Sequence, residues 1–113
     1  MVKALPKAAE RLLGICLGLP GAELEETRRG PTYRVNGKIF ALERRREGDN
    51  TVWCKLPRNA QAGLLAASPR RYFSPPFYGT KGWIGVILDD ATDWSEIEAL
   101  VRQSHGLVVS GQP

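Results

Sequence analysis

Hydrophobic positions recur with two different spacings along this chain of 113 residues. Near the N-terminus, apolar residues recur every three to four positions from Leu5 to Leu19, which predicts an amphipathic helix over residues 4–18. Pro20-Gly21 should end that helix. From about residue 30 onwards, apolar and polar residues alternate, which is typical of strands with one buried face. The pattern therefore predicts a helix followed by an antiparallel sheet.

The sharpest local signal is a β-hairpin at Asn36-Gly37. This dipeptide favours a two-residue type I′ turn because both of its positions take positive φ. The turn predicts that Val35 lies opposite Lys38, and it also sets which side chains share a face. The core face is expected to carry Tyr33 opposite Phe40, together with Val35 and Leu42, and the other face Thr32, Arg34, Ile39, Ala41 and Glu43.

Further elements are expected on both sides of this hairpin. Residues 22–27 and 51–56 are predicted strands, with a turn over residues 47–50. A short helix is predicted over residues 60–67, with Asn59 as its N-cap. Residues 70–82 are rich in proline and glycine, which predicts a long loop.

The C-terminal quarter is predicted to be a buried strand and a helix. Residues 83–88 are nearly all apolar, as expected for a strand inside a sheet. Asp93 and Glu96 form a capping box for a last helix that should run to about His105, with Gly106 just after its end. The order α-β(3–4)-α-β-α predicts one two-layer α+β domain over residues 1–113, with helices packed on one face of an antiparallel sheet. The second sheet face is then open for other contacts.

Charge is unevenly distributed, although the net charge is only +4. Residues 1–88 hold fifteen of the sixteen Lys/Arg and seven of the twelve Asp/Glu, whereas residues 89–113 hold Arg102 and five acids. A basic region of this kind points to a polyanionic partner. The alternative is that the acidic last helix neutralises the basic sheet within the fold.

Several classes of protein are not expected. No apolar run approaches the ~20 residues that span a bilayer, and the charged N-terminus does not resemble a signal peptide, which indicates a cytoplasmic protein without a membrane partner. Cys16 and Cys54 are far apart and His105 is the only histidine, so no metal or cofactor is expected, and both cysteines should be buried in the core. Adjacent Ser104 and His105 point apart on a helix and cannot pair as nucleophile and base, so no enzymatic activity is expected.

A series of short motifs resembles the MmcQ/YjbR family along nearly the whole chain. The matching motifs are Leu19-Pro20-Gly21, Val35-Asn36-Gly37-Lys38-Ile39-Phe40-Ala41, Cys54-Lys55-Leu56, Phe73-Ser74-Pro75-Pro76-Phe77-Tyr78-Gly79-Thr80-Lys81-Gly82-Trp83, Asp93-Trp94 and Gln103-Ser104-His105. The resemblance implies a small two-layer fold, similar to that of type III secretion chaperones, with a double-wing feature. It also implies a DNA-binding role and brings no catalytic residues. His105 stands where the family often has tyrosine.

The candidate phosphate contacts are basic residues of the hairpin and of the long loop. They are Arg44, Arg45 and Arg46 at the end of the hairpin, Arg34 and Lys55 beside Trp53 on the open face, and Arg70, Arg71 and Lys81 in the loop. The alternative for the arginine run is a solvated surface. The alternative for Trp53 is that a loop or a dimer partner covers it. The loop aromatics Phe73, Phe77 and Trp83 are expected to anchor the loop on the core.

Two functions remain open at this point. The first is a nucleic-acid-binding module, with DNA favoured over RNA, that contacts phosphates with low sequence specificity. The second is a protein-interaction or chaperone-like adaptor that uses the open sheet face, as a monomer or a homodimer. Convergence of the basic residues on one face would favour the first function, and their scattering or pairing with the C-terminal acids would favour the second.

Overall fold

The computed structural model describes residues 7–111, which form a six-stranded antiparallel sheet and three α-helices. Along the sheet the strands are ordered β1-β2-β3-β4-β6-β5. In chain order the elements are α1 (Lys7–Leu17), β1 (Glu23–Thr27), β2 (Gly30–Val35), β3 (Lys38–Arg46), β4 (Asp49–Cys54), α2 (Gln61–Ala67), β5 (Tyr72–Phe73), a 3₁₀ helix (Tyr78–Lys81), β6 (Ile84–Leu88) and α3 (Trp94–Val109). The predicted α+β class and element order are confirmed. Within residues 7–111, no helix has the length and apolar character needed to cross a membrane.

The helices cover one face of the sheet. Leu12 of α1 and Val101 of α3 are fully buried in the same apolar cluster as the sheet residues Phe40 and Val86. Side chains of α2 pack against the margin of this cluster. The predictions that the helices gather on one face and that both cysteines are buried are confirmed. The part of the first predicted helix before Lys7 lies outside the described residues.

The predicted turn of the β2–β3 hairpin is confirmed. Asn36 and Gly37 have φ values of 53° and 78°, as a type I′ turn requires. Val35 pairs with Lys38 on either side of this turn. A second two-residue turn at Glu47 and Gly48, with φ values of 51° and 88°, connects β3 to β4. That turn is shorter than predicted, so β4 spans Asp49–Cys54 instead of residues 51–56.

The predicted pairing of Tyr33 with Phe40 is wrong. The register shifts next to Tyr33, so that Tyr33 lies opposite Ala41 and Phe40 becomes the extra residue of a β-bulge. Phe40 and Ala41 are therefore both buried in the helix-side core. Beyond the bulge the predicted faces are exchanged. Leu42, expected in the core, instead pairs with Thr32 and Trp53 on the face away from the helices.

The segment between α2 and β6 is more ordered than predicted. Asn59 is not the N-cap of α2, because it has φ 68° and Ala60 occupies the capping position without a side-chain cap. Gln61 instead connects the start of α2 to the end of this segment, since its Nε2 donates to the backbone oxygens of Gly79 (3.0 Å) and Trp83 (2.6 Å). The predicted loop contains β5 and the 3₁₀ helix.

Helix α3 begins as predicted but ends later. The Asp93 carboxylate accepts hydrogen bonds from the backbone N–H groups of Ser95 and Glu96, which confirms the N-cap. Glu96 does not complete the capping box with Asp93, because its carboxylate accepts a hydrogen bond from the hydroxyl of Tyr72 on β5. The helix passes through Gly106, which was expected to follow its end, and reaches Val109.

Packing explains this longer helix. His105 is buried, its Nε2 lies 2.8 Å from the backbone oxygen of Pro20, and its ring packs edge-on against Phe40. Val108, one turn later, is also buried. These contacts outweigh the local tendency of Gly106 to end a helix.

Candidate nucleic-acid interface

The sheet face away from the helices carries a dense group of basic and aromatic side chains. Strand alternation places Arg44 opposite Thr51 and Leu42 opposite Trp53 on this face. Trp53 is half-buried, and its indole Nε1 donates to Thr51 Oγ1 at 3.0 Å. Arg46 lies on the same face, with its guanidinium carbon 4.4 Å from the centre of the Phe73 ring.

Residues 74–83 fold over part of this face and cover Trp53. The ring centre of Trp53 is 6.4 Å from that of Phe73 and 6.1 Å from that of Tyr78. Tyr78 in turn lies 4.9 Å from Trp83. Phe73 and Trp83 are buried, so the prediction that they anchor this segment is confirmed. The alternative that a loop covers Trp53 is also confirmed.

Phe77 does not follow this pattern, and the prediction that it anchors the loop is wrong. Its side chain points outward, with 67% of the residue exposed. Its neighbour Tyr78 packs edge-on against it, with ring centres 5.2 Å apart. The ammonium nitrogen of Lys81 lies 4.4 Å from the centre of the Phe77 ring. An exposed aromatic ring thus stands beside a cation at the border of the open face.

A groove of about 670 Å³ runs over this face. We call it the basic groove; its lining residues are Arg29, Leu42, Arg44, Arg45, Arg46, Trp53, Pro76, Phe77 and Tyr78. The lining combines four arginines with three aromatic rings. No Asp or Glu is among the described residues that line it. Its electrostatic potential should therefore be positive and attract anions.

A second depression, of about 440 Å³, adjoins the basic groove at Tyr78, which lines both. We call it the lysine pocket; its lining residues are Arg34, Lys38, Ile39, Lys55, Tyr78, Lys81, Trp83, Val108 and Gly111. Four of these residues are basic, and none of the described lining residues is acidic. Both depressions are therefore basic, and they share the aromatic side chain of Tyr78.

The depressions on the helix side have a different charge character. The one between α1 and α3 is lined by both acids and bases, including Glu10 and Glu98. The one beside the start of α3 includes Asp89 and Asp90. The acids of the C-terminal region therefore border other surfaces, and they do not line the basic groove or the lysine pocket.

The predicted arginine run lies within a strand, and its three members have different roles. Arg44 is largely withdrawn from solvent. Its guanidinium donates to the backbone oxygens of Pro31 (3.0 Å) and Glu43 (2.9 Å) and to Thr32 Oγ1 (3.1 Å). Burial is the main cause that lowers the pKa of Arg44 from its usual value. These bonds attach β3 to β2, so Arg44 is chiefly a structural residue at the base of the groove.

Arg45 and Arg46 are both exposed but point to opposite sides of β3. Arg45 donates to Asn50 Oδ1 at 3.1 Å and borders the groove from its edge. Arg46 forms an ion pair of 3.3 Å with exposed Glu47, in addition to its contact with the Phe73 ring. An exposed pair of this kind is weakly held, so a phosphate can compete for Arg46.

Three other predicted residues line the lysine pocket. Arg34 is half-exposed, and its guanidinium contacts Glu25 (2.9 Å) and the backbone oxygen of Gly37 (3.0 Å). Lys55, directly after β4, and Lys81, on the 3₁₀ helix, line the same pocket. The structure thus brings the hairpin and loop residues together, as a common binding surface requires.

Arg70 and Arg71 lie apart from these two depressions. Arg70 is exposed and lines neither of them. Arg71 donates to the backbone oxygen of Ile87 (2.9 Å) and to Asp89 Oδ1 (3.1 Å). The backbone N–H of Ala91 and the guanidinium of Arg71 lower the pKa of the Asp89 carboxyl. Arg71 therefore joins the end of β6 to the start of β5 and is not placed to contact a ligand in the groove.

Two lining residues were not among the predicted contacts. Arg29 comes from the β1–β2 turn, and Lys38 follows the hairpin turn. The side chain of Lys38 is exposed. Arg29 lies between two predicted strands and Lys38 directly follows the predicted Asn36-Gly37 turn; connections lie on the surface and often carry binding residues, which was a usable signal.

The comparison with protein-family models shows the family. The family model described as YjbR matches residues 17–107. This chain belongs to the YjbR family. The resemblance found in the sequence motifs is thereby confirmed. No curated protein is significantly similar to this chain in sequence.

A solved structure supports the fold of this YjbR-family chain. It is similar to Deinococcus radiodurans protein DR2400, described with the family-model domain DUF419, with a TM-score of 0.80. The match covers 94% of this chain and 89% of that chain, at 19% sequence identity. At this identity the similarity shows the shared fold alone.

Proposed function

We propose that this YjbR-family protein binds nucleic acid, DNA in preference to RNA, across the basic groove and the lysine pocket. The observation that carries the proposal is the convergence of basic side chains from β2, β3, the residue after β4 and the 3₁₀ helix around Trp53 and Tyr78, with no acid among the described lining residues. Positively charged grooves with aromatic side chains are a common arrangement for following a phosphate backbone. The preference for DNA rests on the family resemblance.

Contacts of this kind are expected to have low sequence specificity. Lys and Arg that neutralise phosphates release counterions, which gives affinity to any sequence. The α-helices pack on the opposite face of the sheet, and the described residues that line the basic groove come from strands, a turn and residues 74–83. Any base recognition would come from strands or from residues 74–83.

The distribution of exposed apolar residues favours this function over a chaperone-like adaptor. Among the described residues, the large exposed hydrophobics are Leu17, Leu24, Phe77 and Val109, which lie on α1, β1, the 74–83 segment and α3. A docking surface for another protein usually presents a contiguous apolar patch. These four residues belong to four different segments of the fold.

Fluorescence anisotropy with short labelled DNA and RNA, over a salt series, tests the proposal. Arg46→Gln/Lys81→Gln removes two exposed charges from the proposed surface. The slope of log K against log[salt] should become shallower by about 1.5, since each phosphate contact contributes about 0.7 to 0.9. Affinity at low salt should fall as well.

The matched control is Arg58→Gln/Arg102→Gln, which changes net charge equally at two exposed residues that line neither depression. It should leave the salt slope nearly unchanged. Equal effects of both double variants would mean that binding depends only on net charge. The absence of binding by the wild-type protein even at low salt would overturn the proposal and favour a protein partner.

A further inference from the structure

The backbone at Phe77 adopts a conformation that is unusual for a residue with a side chain. Its φ of 66° and ψ of −58° make it the centre of a γ-turn of the rare positive-φ form. The turn is closed by the hydrogen bond from the Tyr78 N–H to the Pro76 oxygen, at 2.6 Å. A residue in such a region is strained and persists only where the surroundings impose that conformation.

The neighbouring residues impose this conformation. The backbone N–H of Gly79 donates to the Pro75 oxygen at 2.7 Å, and the Thr80 hydroxyl donates to the Phe77 oxygen at 2.7 Å. Gly79 is packed so closely on Ser74 that a Cβ there would overlap the serine side chain. Tyr78, immediately after the turn, is fixed between Trp53 and Trp83. The strained turn thus projects one aromatic ring outward from a rigid base.

No burial gain explains this arrangement. Phe77 is the most exposed of the large hydrophobic side chains noted in residues 7–111, at 67%. A strained backbone that exposes an aromatic ring at the border of a basic groove is better explained by a ligand with an aromatic face. Strain of this kind clusters at binding sites.

We propose that Phe77 is a stacking platform for an unpaired nucleobase, so that the site takes single-stranded nucleic acid in preference to a duplex. This inference rests on the proposed function and narrows its ligand class. In a duplex the base faces are occupied by their neighbours, whereas a single strand can place a base on an exposed ring. Lys81, 4.4 Å from the ring centre, and the groove arginines lie where they can neutralise the adjoining phosphates.

The test compares the binding of three labelled probes by anisotropy. The first is an oligothymidylate of about twelve nucleotides, a length within the usual range of site sizes. The others are a duplex of the same length and an abasic single strand with the same number of phosphates. The informative variant is Phe77→Gly. Glycine accepts positive φ without strain, so the turn is preserved while the ring is removed. Phe77→Tyr keeps the ring, and Leu17→Ala removes another exposed apolar side chain, from α1.

We expect Phe77→Gly to weaken oligothymidylate binding by roughly 5- to 100-fold, the range that base stacking on one aromatic residue supplies. Duplex binding should change by less than about threefold. The abasic strand should bind the wild-type protein as weakly as oligothymidylate binds the glycine variant, and Phe77→Gly should not weaken it further. Phe77→Tyr and Leu17→Ala should behave like the wild type.

The outcomes separate this inference from the proposed function. Strong salt-dependent binding that is equal for single strand and duplex, and unaffected by Phe77→Gly, would overturn the stacking inference and leave the nucleic-acid function intact. Equal weakening for all three probes would also overturn stacking, because it would indicate loss of the groove itself. The absence of binding to every probe would overturn both proposals.

Discussion

Replacing Gly85 with alanine should destabilise the protein, although alanine is usually better than glycine within a strand. Gly85 lies in β6 opposite Trp53 and Phe73, and a Cβ at this position would overlap the Phe73 ring. Without that overlap the change would stabilise the strand by about 0.5–1 kcal/mol. Because overpacking typically costs about 1–3 kcal/mol, we expect a net loss of about 1–2 kcal/mol in the free energy of unfolding.

Urea denaturation followed by tryptophan fluorescence measures this change directly. The midpoint temperature should also fall, by about 4 °C per kcal/mol for a chain of this size. Gly106→Ala is the matched control, because no atom lies within 4 Å of its added Cβ and the residue is inside α3. That variant should be more stable by up to about 1 kcal/mol. A Gly85→Ala protein as stable as the wild type would refute the packing of Phe73 on this strand.

Three further predictions concern polar groups withdrawn from solvent, all measured by urea denaturation. Arg44→Met should lower the free energy of unfolding by about 2–3 kcal/mol because its acceptors lose a charged donor. Arg46→Met should lower it by about 1 kcal/mol or less. Equal losses for the two variants would contradict the structural role of Arg44. Ser104→Ala should cost about 1–3 kcal/mol, since this buried hydroxyl bridges two backbone groups, and a neutral effect would contradict that bridge. Burial, followed by the charge of Glu26, raises the pKa of the Glu43 carboxyl, so the folded state retains this proton to higher pH than the unfolded chain. Glu43→Gln should therefore gain stability relative to the wild type as pH rises from about 4 towards 7. A difference in unfolding free energy between the two proteins that does not change with pH would refute the shift.

Much of the fold could be predicted because its signals are local. The Asn36-Gly37 turn and the Asp93 cap each depend on residues adjacent in the chain, and both were predicted correctly. The same holds for the burial of Cys16 and Cys54, which follows from their apolar neighbours. The family motifs spread along the chain then identified the fold.

The candidate site was only partly predictable. Strand parity placed Arg34, Trp53 and Lys55 on one face, because alternation depends only on the local strand. The same rule failed beyond Phe40, since a bulge depends on how two strands pair and exchanges every following side chain between the faces. Leu42 therefore lines the basic groove, although the sequence pattern predicted it in the core.

The helices, the main strands, the hairpin turn and the concentration of basic residues before residue 89 follow from the sequence alone, because these depend on spacing along the chain. Which charges reach solvent depends instead on the packing of the folded chain. Arg44 is held by oxygens of β2, and Phe77 is turned outward by the packing of Tyr78 between two tryptophans. The physical reason is that burial and backbone strain are set by contacts between residues distant in sequence, which no local pattern records.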